Sequence, residues 1–271
     1  MVRLGSTPAT SYLAGMTASA ETPVPRPNNL VGLGVLAAWL GLGVALAAQA
    51  GPVRPLTFAF VMLGWVLSVM AHEFSHAAVA WLGGDRTVAE KGYLAFDPRR
   101  YGDITTSLVI PLIALALGGI GFPGGAVWLR TDLMRSRLWR AAASLAGPAA
   151  TLAVLTLLGL ALLLWRQTAE PGPLFDALAL LAFLQAMALV LNLLPIPGLD
   201  GFNALRPFLP ASWAPAIRRF EALAMIGLLL VIFFVPGVSR ALFLVAALIG
   251  SAFGVRSEDW IEGFRAFRFW G

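Results

Sequence analysis

The chain has 271 residues, of which 59% are hydrophobic and only 12% are charged, and its mean hydropathy is +0.81. One soluble core could not enclose so much apolar surface, so the composition indicates a protein whose solvent is lipid. The formal charge of +5 comes from arginines in short loops between apolar runs, a pattern that favours membrane orientation over nucleic-acid binding, and the absence of cysteine excludes disulfides and thiolate metal ligands.

The N-terminal part of the chain divides into a polar tail and membrane spans. Residues 1–29 are rich in Ser, Thr, Ala and Pro and lack a sustained apolar run, which predicts a disordered tail rather than a signal peptide. A single membrane domain, residues 30–254, follows. Its clearest spans each approach the ~20 residues that a helix needs to cross the hydrocarbon. They lie at about 30–50, 56–82, 141–165 and 174–194.

Two shorter apolar runs complete the domain. They lie at about 220–235 and 238–254, and Pro236 and Gly237 separate them, so we expect a final helical hairpin. The last segment, residues 255–271, carries aromatic side chains at helical spacing together with arginines, which predicts an interfacial helix.

The apolar stretch 107–129 contains two prolines and five glycines, so a continuous helix through it is disfavoured. Its length is compatible with a kinked span or a re-entrant loop. If every apolar run crosses, the two sides carry eleven and eight basic residues, whereas a re-entrant segment gives sixteen and three. The positive-inside rule therefore predicts about six transmembrane helices in an all-α polytopic protein, with both termini in the cytoplasm. We expect the membrane to be the bacterial cell membrane.

The second span contains the motif HEFSH, which places His72 and His76 one helical turn apart on one face, where both imidazoles can reach one metal ion. Glu73 is the neighbouring carboxylate that can accept a proton from water. The motif alone recurs by chance on surface helices. Here, however, it lies inside an apolar run, where an unpaired ionisable side chain costs roughly 2.5 to 3.5 kcal/mol.

A catalytic zinc ion usually has three protein ligands, and this chain has no third histidine and no cysteine, so the third ligand must be Asp or Glu. Asp200 directly follows an apolar helix in NLLPIPGLDG. Asp176, at the start of its own span, is the alternative and is more easily explained as a helix cap. His76 and Asp200 can meet only if their helices end on the same side, which the re-entrant topology provides.

HEFSH, followed more than a hundred residues later by NLLPIPGLDG, resembles the paired motifs of the site-2 protease family of intramembrane metalloproteases. The likeness covers roughly residues 56–209, the family's catalytic core. Residues 144–151, SLAGPAAT, also resemble the family's Gly-Pro segment, with Thr151 where many members carry Asn.

The resemblance implies a role for each residue of the two motifs. His72, His76 and Asp200 would bind one Zn²⁺ ion, and Glu73 would be the catalytic base. Asn192 would donate a hydrogen bond to substrate backbone or oxyanion, although a buried Asn that bonds a neighbouring helix is an equal alternative. The implied activity is zinc-dependent hydrolysis of peptide bonds in membrane-spanning proteins.

This activity needs a locally unwound substrate. Residues 86–96, RTVAEKGYLAF, could form a small β element between the second and third crossings to which a substrate strand adds, although an ordinary surface loop is the alternative. Many family members carry docking domains for which this chain has no room, so we expect any docking domain either to lie on a separate adaptor protein or to be absent. Two other functions remain open: a membrane metal-ion carrier, and a catalytically silent relative that binds membrane helices.

Overall fold

The computed structural model describes residues 29–101, 112, 113, 115 and 127–270. Within these ranges the chain is helical and contains no strand. The α-helices are α1 (Leu30–Ala47), α2 (Val53–Gly83), α3 (Thr87–Glu90), α4 (Arg137–Thr168), α5 (Pro173–Leu193), α6 (Asp200–Leu205), α7 (Ala214–Phe234), α8 (Pro236–Ala252) and α9 (Ser257–Phe267). Short 3₁₀ helices span Pro98–Arg100, Thr131–Leu133, Arg206–Phe208 and Ala211–Trp213. The predicted tail, apart from Asn29, and most of the predicted re-entrant segment 107–129 lie outside the described residues.

Four helices are long and apolar enough to cross a membrane, namely α1, α2, α4 and α5. They confirm the four spans predicted from hydropathy. The apolar part of α7 and the whole of α8 form a pair bent by 92°, which counts as at most a fifth span. The protein is therefore an all-α, multi-pass membrane protein with four to five candidate spans among the described residues.

Helix α5 is the centre of the bundle, because most of its side chains are buried while the other spans expose one face. Close approach depends on a small residue in α2: a Cβ at Gly64 would lie 2.6 Å from the Leu181 side chain and 2.8 Å from the indole nitrogen of Trp39. Helix α4 packs against both α2 and α5. These three helices form the frame that carries the candidate site.

Local sequence explains where these helices begin and end. The Ser136 side chain accepts a hydrogen bond from the Trp139 amide and so caps α4. Pro173 and Pro236 each occupy the first position of a helix, where the missing N–H has no intrahelical partner to lose. Helix α2 ends at Gly83, and the next residue, Gly84, has a φ of +121°, a conformation that residues with a side chain rarely adopt.

The C-terminal helix α9 packs at the end of the bundle where α2 begins. Trp260 stacks on Phe183 with ring centroids 4.0 Å apart, and Phe267 is fully buried against Phe58, which lies five residues after the start of α2. Arg166, near the end of α4, pairs with Asp259. Residues 256–270 thus lie at the opposite end of the bundle from the second half of α2, where both histidines lie.

This arrangement differs from the predicted hairpin, which would return the C-terminus to the end of the bundle where α1 begins. The apolar part of α7, Leu223–Phe234, has only 12 residues. At 1.5 Å per residue such a helix covers about 18 Å, well short of a hydrocarbon core about 30 Å thick. The break before Pro236 therefore joins two halves of a bent element instead of two complete antiparallel spans.

The expected β element is wrong for residues 86–96, which form α3 and a series of turns. The cause lies in Asp85, whose carboxylate accepts hydrogen bonds from the backbone N–H and the hydroxyl of Thr87 and so starts a helical turn. Gly92 then adopts a φ of +75°, which turns the chain again. The segment is also more than the alternative, an ordinary surface loop, because Val88, Tyr93 and Ala95 are buried.

Candidate metal centre

The two histidines of HEFSH face one point between α2, α4 and α6. Their Nε2 atoms are 3.1 Å apart, and both rings are buried. The Nδ1 atom of His76 lies 2.6 Å from the carbonyl oxygen of Ala143, to which it can donate, and Nδ1 of His72 lies 2.9 Å from the hydroxyl oxygen of Thr151. With each Nδ1 engaged in this way, both Nε2 lone pairs point towards the same space.

Asp200 completes this cluster at the first residue of α6. One carboxylate oxygen lies 3.1 Å from Nε2 of His72 and the other lies 3.4 Å from Nε2 of His76. The turn that brings it there includes Gly198, with a φ of +101°. Gly201 packs directly on the last residues of α5, where a Cβ would overlap with the backbone of Leu193. The Gly-Leu-Asp-Gly sequence therefore lets the chain reverse tightly enough for the carboxylate to reach the histidines.

The three side chains fit a zinc ion. Tetrahedral zinc with bonds of about 2.0–2.1 Å places its ligand atoms about 3.3 Å apart. The two Nε2 atoms are 3.1 Å apart, they lie 3.1 and 3.4 Å from different oxygens of the Asp200 carboxylate, and one ligand atom from each side chain lies within 4.8 Å of the other two. Two imidazole lone pairs and a carboxylate repel one another at this distance unless a proton or a metal cation lies between them. Gly147 leaves the necessary room, because a Cβ there would overlap with Nε2 of both histidines.

Glu73 lies beside this cluster and is not one of its members. Its carboxylate is 2% exposed and accepts a hydrogen bond of 3.2 Å from the backbone N–H of Val127. Val127, which follows the glycine-rich stretch of residues 118–125 in sequence, therefore lies at the site and orients the carboxylate. Sequence gave no indication of this contact, because a backbone donor is independent of residue type.

The other two candidate residues, Asn192 and Asp176, lie in different parts of the structure. Asn192 is buried in the last turn of α5 and lines the same cavity as the histidines and Asp200. Asp176 lies in the first turn of α5, where its backbone carbonyl packs against Gly263 of α9. The structure therefore brings Asp200 to the histidines and leaves Asp176 at the other end of the helix. Among the described residues, His72, His76 and Asp200 are the one group with metal-binding proximity.

The site opens into a cavity of about 530 Å³ that is bounded by α2, α4, α5 and α7 together with residues 127–131 and the segment 198–211, which includes α6. Both apolar and polar side chains line the cavity, and the polar ones include the Arg206–Glu221 pair at 3.8 Å. Thr151 also lines this cavity, so the residue that replaces the family's usual Asn touches the His72 ring. The partnership between His72 and Thr151 was not predicted, because the two residues are 79 positions apart and meet only through the packing of α2 on α4.

Comparison with known proteins supplies close relatives of the whole chain. The sequence is 42% identical over 261 residues to the "Putative zinc metalloprotease Rip2" of Mycobacterium tuberculosis, covering 94% of this chain and 97% of the relative. The protein of the same name from Mycolicibacterium smegmatis is 40% identical over 252 residues, with 91% and 94% covered. The "Putative zinc metalloprotease YwhC" of Bacillus subtilis is 27% identical over 184 residues, covering 65% of this chain and 81% of that protein. No family model matches the chain, and no solved structure matches it.

These relatives, the apolar helical bundle and the His-His-Asp geometry agree on one kind of protein. The alignments at 40–42% identity extend over more than nine-tenths of the chain, so the aligned region covers the membrane helices and both motifs. The protein is a zinc-dependent protease that works on protein substrates in a membrane context. It belongs to the site-2 protease family of intramembrane zinc metalloproteases.

Proposed function

We propose that His72, His76 and Asp200 hold the zinc ion and that Glu73 is the general base in the hydrolysis of peptide bonds of membrane-spanning proteins. One observation carries the assignment: two imidazole nitrogens and a carboxylate converge at 3.1 to 3.4 Å, with a fourth ionisable group buried beside them. When bound, zinc supplies Lewis acidity, which makes water more acidic and polarises the scissile carbonyl.

Glu73 has the position that a general base needs. Its carboxylate takes a proton from the attacking water as the new C–O bond forms, and returns that proton to the amine nitrogen as the C–N bond breaks. The N–H of Val127 holds one carboxylate oxygen, and burial of the side chain keeps it from turning away. Thr151 and the carbonyl of Ala143 hold the two imidazoles in the orientation that leaves Nε2 free.

Asn192 supplies the polar donor that the reaction needs on the other wall of the cavity. Its side chain is buried at the end of α5, and it lines the cavity that contains Glu73 and both histidines. An amide N–H directed at the substrate carbonyl would stabilise the negative charge that develops on oxygen. We assign it to the substrate backbone or the oxyanion.

We infer that residues 107–129 enter the bundle and return to the same end. The supporting observation is that Tyr101 and Val127, on either side of this stretch, both pack in one cluster with Val88 and Met134 near the end of α2. Leu115, which lies between them in sequence, belongs to a different buried cluster that includes Trp65 and extends to Phe267 at the opposite end of the bundle. A segment whose two flanks pack at one end while a residue between them packs deeper in the bundle fits a re-entrant path.

Orientation follows from the basic residues. The segments at the site end of the bundle and the N-terminal tail carry thirteen of the nineteen basic residues, whereas five lie in the turns and the C-terminal segment at the other end, and Arg240 lies within the bent pair. The positive-inside rule then puts the site end in the cytoplasm of a bacterial cell. The packing of α9 favours a C-terminus on the opposite side.

Purified protein in lipid nanodiscs tests the assignment. We expect one zinc ion per chain and cleavage within the apolar segment of at least one protein from a panel of single-span substrates, with both lost after chelation. Glu73→Gln serves as the matched control, because it removes the base and leaves the three candidate ligands in place. Zinc-free protein, or equal cleavage by wild type and this variant, would overturn the proposed roles.

A further inference from the structure

Several buried side chains in the wall of the catalytic cavity carry hydrogen-bond donors that have no partner. Among the described residues, five buried side-chain polar atoms have no hydrogen-bond partner. Three of them belong to side chains that line the cavity: Trp65 Nε1, Gln185 Nε2 and Arg140 Nε. Each of these three atoms is a donor. A buried donor without a partner is unfavourable, most of all in a protein surrounded by lipid, so the cluster needs a physical explanation.

Trp65 and Gln185 occupy matching positions on two facing helices. Trp65 precedes His72 by seven residues on α2, and Gln185 precedes Asn192 by seven residues on α5. Seven residues are close to two helical turns, so Trp65 lies on the same helix face as His72, and Gln185 lies on the same face as Asn192. Each donor is roughly 10 Å further into the bundle than the site residue on its helix. The cavity wall thus continues from the metal site towards the middle of the bundle, with a polar side chain from each helix.

Both side chains are almost completely buried, at 2% and 1% exposure, and the unpaired nitrogens themselves are closed off from solvent. Water in the cavity therefore does not reach them as they lie. The hydrogen-bond partner must therefore be an acceptor on a bound ligand. A small rotation of the Trp65 or Gln185 side chain would bring its donor to that acceptor. Neither donor is used by the proposed roles of Glu73, Asn192 and the three metal-binding side chains.

A locally unwound membrane helix brings such acceptors. In an intact helix each carbonyl accepts an intrahelical hydrogen bond, and unwinding the chain around the cleaved bond leaves several carbonyls without a partner. In hydrocarbon those carbonyls are as unfavourable as the unpaired donors. When the substrate is bound in an extended form, its freed carbonyls accept hydrogen bonds from the unpaired donors of the cavity wall.

We propose that Trp65 and Gln185 form a carbonyl-binding subsite that holds the unwound substrate backbone on the membrane-centre side of the cleaved bond. This inference rests on the proposed protease function and adds a substrate-binding role for two residues outside both motifs. The indole N–H and the amide NH₂ donate to substrate carbonyls that unwinding has freed. Their contribution is to binding of the extended form and involves no proton transfer.

Peptide binding by full-length, zinc-loaded Glu73→Gln protein tests the subsite without turnover. The probe is a fluorescent synthetic single-span peptide of leucine and alanine with a central Gly-Pro pair, and fluorescence anisotropy in lipid nanodiscs measures its dissociation constant. Trp65→Phe removes the indole N–H and keeps a large ring, and Gln185→Met removes the amide in a side chain of similar length. We expect each to weaken binding about two- to tenfold, the loss that corresponds to one hydrogen bond.

Trp39→Phe is the matched control. Trp39 also has a buried, unpaired indole nitrogen, but it lines a separate groove of about 400 Å³ that involves α1 and is not among the residues around the catalytic cavity. Binding should be unchanged in this variant, and zinc content should be unchanged in all three. In protein that keeps Glu73, cleavage kinetics provide a second measurement. Trp65→Phe and Gln185→Met should each raise KM with little change in kcat.

Two outcomes overturn the subsite. Unchanged peptide affinity in Trp65→Phe and Gln185→Met would show that the substrate does not use these donors, and an equal loss in Trp39→Phe would assign the effect to general helix packing. Wild-type protein assayed in parallel separates this result from the larger proposal. If wild type cleaves the peptide while all variants bind it equally, only the subsite fails, whereas wild type that neither binds zinc nor cleaves contradicts the protease roles.

Discussion

His72 and Thr151 form a contact between α2 and α4 in which the imidazole Nδ1 lies 2.9 Å from the hydroxyl oxygen. The contact fixes the ring so that Nε2 faces His76 and Asp200. Partners of this kind raise metal affinity because they hold the ligand's orientation and tautomer. Thr151 stands where many family members carry Asn, and its hydroxyl oxygen lies within hydrogen-bond distance of the His72 ring.

Replacing the Thr151 hydroxyl should therefore weaken zinc binding. Thr151→Val keeps the shape of the side chain and removes the acceptor for Nδ1, and we expect the dissociation constant for zinc to rise about 10- to 100-fold. Thr151→Ser keeps the hydroxyl and is the control, with affinity close to that of wild type. Competition with a fluorescent chelator measures both. Equal affinity in the two variants would show that the hydroxyl does not support the metal site.

Glu73→Gln should separate zinc binding from catalysis. The amide cannot accept a proton from water, so the rate of cleavage should fall by about 10²- to 10⁴-fold, the usual contribution of a general base. His72, His76 and Asp200 remain, so zinc content should stay at one ion per chain. Metal analysis and single-turnover cleavage of one single-span substrate measure the two effects. Loss of zinc from this variant would indicate that Glu73 is itself a ligand.

Asp200→Ala should remove zinc under mild chelation, because two histidines alone hold the metal weakly. Asp176→Ala is the matched control: it is the other carboxylate that sequence leaves open as a ligand, and in the structure it lies in the first turn of α5. We expect zinc retention in that variant. Metal content after graded chelator treatment gives the comparison, and the reverse pattern would move the third ligand to Asp176.

Gly147→Ala tests the space around the metal. The added Cβ would overlap with Nε2 of both His72 and His76, so the rings must move and zinc affinity should fall at least tenfold. Gly227→Ala is the control, since a Cβ at this helical glycine meets nothing within 4 Å. The same chelator competition compares them. Wild-type affinity in Gly147→Ala would mean that the histidines do not converge beside this glycine.

Much of the candidate site could be predicted because its main features are local in sequence. The spacing within HEFSH puts His72 and His76 on one helical face whatever the rest of the fold is, and Asp200 was identified as a carboxylate that directly follows an apolar helix. The contacts of Thr151 and Val127 could not be predicted, since each depends on how a distant segment packs against α2.

The two structural differences have equally physical causes. Hydropathy identifies apolar runs but gives no direction, so it could not show that the chain bends by 92° before Pro236. Residues 86–96 were expected to offer a strand to the substrate, but the Asp85 carboxylate accepts hydrogen bonds from Thr87 and starts a helical turn. There a short-range hydrogen-bonding effect decides the local structure.

Cysteine labelling tests the orientation of the bundle, and the chain's lack of cysteine provides a silent background. We expect thiols introduced at Glu90 and Ser136, both exposed at the site end, to resist an impermeant maleimide in intact cells and to react after permeabilisation. A thiol at Gln167, exposed near the end of α4, should react from outside. These expectations follow from the thirteen basic residues counted for the site side and from the re-entrant path proposed above for residues 107–129.

A thiol at Arg268 decides where the C-terminus lies. Arg268 is exposed and directly follows α9, which packs with Phe58 and is tied to Arg166 at the end of the bundle opposite to the histidines. We therefore expect position 268 to react from outside together with position 167, whereas six complete crossings would place it with position 136 in the cytoplasm. Protection at 268 with external labelling at 167 would mean that α7 and α8 both cross and that α9 does not pack where it does. External labelling at 136 with protection at 90 would instead show that residues 107–129 cross the membrane, and His76 and Asp200 could then meet only near the middle of the bilayer.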